Sequence, residues 1–112
     1  MKIAISSTNE NIESDVSEIF GRCPYFIIAE IKNQKIENTE TIKNENVEQT
    51  SGAGISTAKL MAEKNVEAVI TGNVGPRALD VLKQFNIDIY SGEGIVKDIL
   101  QDFIDKKLKK ID

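Results

Sequence analysis

The chain has no histidine, no tryptophan and a single cysteine, Cys23. Without histidine, the Ser–His–Asp and Cys–His arrangements that activate a nucleophile are excluded. One cysteine and no histidine also exclude a closed zinc site, and a lone thiol forms no internal disulfide. Aromatic residues make up only 5% of the chain, so an aliphatic core is expected. No apolar run approaches the length of a membrane span, and the opening MKIAISSTNENIE turns polar too early for a signal peptide. A cytoplasmic protein without a membrane role is therefore expected.

Positive charge is also in deficit. A net charge of −4 and a pI of about 4.9 argue against a nucleic-acid partner. The one basic cluster, KKLKK from Lys106 to Lys110, follows a helical pattern, where cations suit the negative end of a helix dipole. At 112 residues the chain reads as one domain, residues 1–112, in a monomer or a weak homodimer.

What is present is a run of short apolar segments. Lys2 to Ser6 and Tyr25 to Ile31 read as strands. KNQK is a polar turn leading to a return strand, Lys35 to Lys43, with Ile36 and Ile42 on one face and Thr39 and Thr41 on the other. Its polarity suits a sheet edge. Asn44 to Gly54 has no period and reads as a long loop. Ile55, Ala58, Met61 and Ala62 then recur at helical spacing, so a helix is expected from about Ile55 to Lys64.

Glu67 to Thr71 is the fourth strand, and Ala78, Val81, Leu82 and Phe85 form the apolar stripe of a second helix. Ile87 to Tyr90 is a fifth strand, and a third helix turns Ile95, Ile99, Phe103 and Ile104 inward. The order βββαβαβα predicts an α/β sandwich: a mixed five-stranded sheet with three helices packed on it. The short, wholly apolar first strand belongs at the centre, beside the fourth.

Three glycine-bearing turns stand at helix starts: SGAGIST, TGNVGPRA and SGEGIVK. There the first helical N–H groups have no partner in the helix, and the dipole adds positive potential. Pro76 suits the first helical position, where a missing N–H costs nothing. A crevice lined by Gly72, Asn73, Gly75, Gly92 and Gly94 is the expected site for an anion. Strand-to-helix turns use glycine for the backbone alone, so spacing leaves both readings open. None of the three turns is a P-loop or a Rossmann fingerprint. Carboxylates clustered for Mg²⁺ are missing as well: the first strand has none, Glu67 only begins the fourth, and Asp88 is isolated.

VSEIFGRCPYF (Val16 to Phe26), followed by SGAGISTAKLMAEKNVEAVITGNVGPRALDVLKQFNIDIYSGEG (Ser51 to Gly94), resembles the dinitrogenase iron–molybdenum cofactor-binding family. This is the domain of NifX-like and NifB C-terminal-like proteins and of small stand-alone members. The resemblance runs from Met1 to about Phe103. It implies a ribonuclease-H-like sandwich. It also implies a non-catalytic role: carrying an iron–sulfur or iron–molybdenum cluster, or its precursor, among other cofactor-assembly proteins.

By that resemblance Arg22, Cys23, Gly52, Gly54, Gly72, Asn73, Gly75 and Gly92 are the candidate cofactor-binding residues, with Cys23 the candidate metal ligand. Phe20, Tyr25 and Phe26 complete the first motif and read as core. Arg22 suits an anion, or equally an ion pair with Glu18 or Asp15. One thiol cannot supply an all-cysteine cluster site from one chain. That leaves a thiolate assisted by backbone and charge, a site shared by two chains, or a different ligand. The alternative is a metal-free interaction or regulatory module that binds a small anion or a protein partner.

Overall fold

Lys2–Ser7 forms β1, and the alternation of its side chains divides the core in two. Ala4 faces one cluster while Ile3 and Ile5 face the other, all fully buried. A strand covered on both faces reads as a continuous apolar run. The structure, a computed structural model, describes residues 1–45 and 52–111. After β1 come β2 (Tyr25–Lys32), β3 (Lys35–Lys43), α1 (Ala53–Glu63), β4 (Ala68–Thr71), α2 (Pro76–Gln84), β5 (Asp88–Ser91), α3 (Val96–Ile104) and β6 (Lys109–Ile111). The loop expected from Asn44 to Gly54 falls largely on residues 46–51, outside the described residues.

The strands make one mixed sheet in the order β3-β2-β1-β4-β5-β6. β1 pairs antiparallel with β2 and parallel with β4, which is the central place expected of it. Ala58 and Met61 of α1, with Ala78 and Leu82 of α2, pack on one face together with Phe26 and Val69. Val96, Ile99 and Leu100 of α3 pack on the other face against Ile27 and Ile70. No helix among the described residues is long and apolar enough to cross a membrane.

Three expectations are corrected. The sheet has six strands rather than five, because Lys109–Ile111 pairs antiparallel with β5. Lys106 and Lys107 of KKLKK do follow the end of α3, while its last lysines belong to this edge strand, where Lys110 Nζ lies 3.3 Å from Asp88 Oδ1. The buried face of α3 is Val96, Ile99 and Leu100, while Ile95 stands outside the helix and is exposed. Finally, a register shift in the β2–β3 pair aligns Ile31 with Ile36 but Phe26 with Ile42. One extra residue in a strand reverses the facing of all that follow, so Ile36 and Ile42 point to opposite sides.

All three helices stop in the same way. Asn65, Asn86 and Lys106 each adopt a φ of 60° just past the helix. The next N–H then reaches back to a carbonyl: Val66 to Met61 at 3.1 Å, Ile87 to Leu82 at 3.0 Å and Lys107 to Asp102 at 2.9 Å. This is the Schellman closure, which favours glycine or asparagine at the left-handed residue. Lysine is the costly choice. Replacing Lys106 with Gly should raise stability by roughly 0.5–1 kcal/mol in urea denaturation, the strain relieved outweighing the added backbone entropy.

Candidate functional site

Residues between β1 and β2 form a strap across the carboxyl ends of the sheet. Val16 N donates to Gly94 O (2.8 Å), Ser17 N to Ser6 O (2.9 Å) and Phe20 N to Asn73 O (3.0 Å). Below it the buried hydroxyls of Ser6 and Thr71 lie 2.8 Å apart. Val16 sits in one core cluster while Phe20 and Cys23 sit in the other, so the strap passes over the sheet from face to face.

Two backbone approaches pin it. A Cβ on Gly21 would lie 2.8 Å from both N and Cα of Gly54, and one on Gly72 would lie 2.7 Å from Cα of Glu18. The Gly21–Gly54 approach sets Arg22 beside the start of α1. Gly52 begins that helix in the left-handed region at φ 72°, and Gly75 begins α2 in extended conformation. Neither offers a side-chain cap. The first intrahelical bonds are Ser56 N to Gly52 O and Leu79 N to Gly75 O. The N–H groups of Ala53, Gly54, Ile55, Arg77 and Ala78 precede them and have no acceptor in their own helix.

These two helix starts share one cleft of about 410 Å³. Its walls are Ile19, Gly21 and Arg22 from the strap, Gly52 to Ile55 from α1, and Gly75 to Ala78 from α2. The chain's only two arginines, Arg22 and Arg77, both line it, and among the described residues no acidic side chain does. Two helix N-termini and two guanidinium groups thus bring positive potential to a wall that is otherwise mostly apolar.

The sequence pattern of the family described as "Dinitrogenase iron-molybdenum cofactor" matches residues 1–106. The chain belongs to that family. It is 37% identical to the uncharacterized protein MJ0580 of Methanocaldococcus jannaschii, over all of this chain and 92% of that one. A proposed NifB protein from Thermotoga, TM1290, superposes with a TM-score of 0.83 at 29% identity, covering 97% of this chain and 91% of the other. The apo form of the orange protein from Desulfovibrio gigas shares the fold, with a TM-score of 0.91 at 24% identity and coverage of 98% and 92%.

In this member of the cofactor family the expected crevice is divided. Arg22, Gly52, Gly54 and Gly75 line the cationic cleft. Gly72, Asn73 and Gly92 line a neighbouring one of about 380 Å³, walled also by Glu18 and Glu93. Exposed Ile19 is common to both. The carboxylates give the second cleft the opposite charge character to the first. Gly92 is there for packing, since a Cβ would lie 2.7 Å from Ile99 and 2.9 Å from Ile70. Gly94, the other crevice residue expected, lines neither cleft and serves the strap through its carbonyl.

Cys23 lies in neither cleft. It is fully buried beside Phe20 and Phe26, whose rings meet edge-to-face at 5.5 Å. Its thiol donates to Phe20 O at 3.2 Å, and burial pushes its pKa up from 9.0 to about 12. Among the described residues no group of three or more His, Cys, Asp or Glu side chains could hold a metal ion. Glu67 accepts a bond from Lys2 N, and Asp88 pairs with Lys110. Sequence reasoning passed over Arg77, Ile19 and Ile55 as site residues. The scarcity of arginine was the available signal for Arg77.

Two predictions separate these roles. Gly21→Ala should cost about 1–3 kcal/mol because backbone must move. Gly75→Ala should stay within about 0.5 kcal/mol, since nothing lies within 4 Å of its added carbon and φ is −69°. Urea denaturation of both variants checks this. For Cys23, the unfolded thiol ionises near 9.0 while the folded one resists to about 12. Its contribution is therefore complete below the unfolded pKa and lost as pH rises through that window, at about 1.4 kcal/mol per pH unit. Denaturation curves from pH 8 to 11 should show this slope in the wild type and its absence in Cys23→Ala.

Proposed function

We propose that the chain is a non-catalytic carrier of an anionic metal–sulfur cluster, of iron–sulfur or iron–molybdenum type, or of its precursor. The cargo sits in the cleft between the starts of α1 and α2. The observation that carries this reading is the meeting of two uncapped helix N-termini with both arginines in one cleft that no acidic side chain lines among the described residues. The cluster is held by N–H donors and guanidinium charge, with no protein thiolate. Membership of the cofactor family supports the identity of the cargo. The buried, protonated state of Cys23 supports the absence of a thiolate ligand. The partners that deliver and accept such cargo are other cofactor-assembly proteins.

The test is anaerobic incubation with a synthetic thiolate-capped [4Fe–4S] cluster, then gel filtration with iron and sulfide analysis. Wild type and Cys23→Ala should retain cluster equally. Arg22→Ala with Arg77→Ala should weaken retention by about ten-fold or more, at roughly 1 kcal/mol for each partly exposed contact. Gly75→Asp should cap α2, keep or slightly raise stability, and reduce retention by occupying the free N–H groups. Retention that disappears with Cys23 alone, or no retention by any form, would overturn the proposal. Binding of molybdate or phosphate without cluster would favour the metal-free alternative.

A further inference from the structure

On the face of the sheet covered by α3 lies a cavity of about 470 Å³, larger than the cationic cleft. Its body is apolar: Ile31 from β2, Tyr90 from β5, Phe103 and Ile104 from α3, and Leu108 beyond it. The Tyr90 and Phe103 rings meet edge-to-face at 5.1 Å. Its polar side chains are Gln34, Lys106 and Tyr90, Met1 also lines it with its terminal ammonium paired to Glu30, and among the described residues no acidic side chain lines it.

Those two residues are anomalous for the backbone they occupy. Gln34, at φ 63°, is the second residue of the β2–β3 turn, where glycine is preferred after asparagine. Lys106, at φ 60°, fills the position that Asn65 and Asn86 fill at the other two helix ends. At both sites backbone geometry asks for a small residue, and at both the chain places a long hydrogen-bond donor on the rim of one apolar cavity. Strained positions of this kind gather where the side chain has a task. Two of the last carbonyls of α3, Asp102 O and Phe103 O, are turned to Schellman bonds from Lys107 and Lys106.

We infer that this cavity binds a small amphiphilic monocarboxylate, its aliphatic or aromatic body against Tyr90, Phe103 and Leu108 and its carboxylate on Lys106 and Gln34. An apolar pocket with a few convergent polar groups is the usual form of a small-molecule site. The site is independent of the cluster cleft, which lies on the opposite face of the sheet and uses none of these residues.

The experiment is an NMR titration of the full chain with octanoate, with acetate and octyltrimethylammonium as controls. Octanoate should shift Ile31, Tyr90, Phe103 and Leu108 saturably, and neither control should. Lys106→Gln keeps a non-glycine residue in the strained position and should weaken octanoate by about five-fold. Lys107→Gln, adjacent and outside the cavity, should leave it unchanged. The inference is overturned if octanoate causes no saturable shifts, if the cationic amphiphile binds equally well, or if Lys107→Gln weakens binding as much as Lys106→Gln.

Discussion

Gly21 and Gly54 bring two stretches of backbone closer than any side chain would permit, and the cleft exists because of that approach. The strap must lie flat against the start of α1 for Arg22 to reach the same space as the free N–H groups. Glycine 72 under Glu18 fixes the strap a second time, over the end of β4. Between these points hydrogen bonds from Val16, Ser17 and Phe20 hold the strap to the sheet ends. Two backbones in van der Waals contact leave little room to repack, so interiors of this kind respond sharply to a single added carbon.

The glycines thus divide by physical cause. Gly21, Gly54, Gly72 and Gly92 sit where a side chain would meet its neighbours, while Gly52 takes a left-handed start. Gly75 has neither reason: its φ is ordinary and the space beside it is open. At that N-cap, Ser, Thr, Asn or Asp would occupy the helix's first donors. Leaving them free is what gives the cleft its character. Charge then decides between the two neighbouring clefts, since Arg22 and Arg77 line one while Glu18 and Glu93 line the other.

Much of the fold was legible because burial on both faces leaves an unmistakable mark. β1, β2 and β4 carry apolar stretches buried on both faces, and the central place of β1 was expected from its short apolar character. β6 was not legible, since three residues that include two lysines look like a solvated helix end. The opposite facing of Ile36 and Ile42 was hidden for a different reason, because a one-residue bulge leaves no compositional trace. In the site, the helix-start glycines were correctly marked as a class. Their division between two clefts depends on the path of the strap, which no local spacing encodes. Arg77 was overlooked because nothing in TGNVGPRA reveals that α2 begins beside α1 rather than beside β5.

Cys23 looked like the chemical centre of the sequence and lies instead in the apolar core. Burial that pushes its pKa up to about 12 disfavours the thiolate form that a metal takes, and Cys23 is fully buried. This removes the difficulty that a single thiolate poses for cluster binding, because electrostatic holding needs none. It also changes how cargo would leave. A coordinated cluster departs only by ligand exchange at the metal, whereas one held by N–H donors and guanidinium groups keeps its own ligands throughout. Such a grip weakens as salt screens it, and a partner presenting stronger ligands can draw the cluster away in one step. For the carrier role proposed above, a cationic cleft without a thiolate is the chemically consistent arrangement.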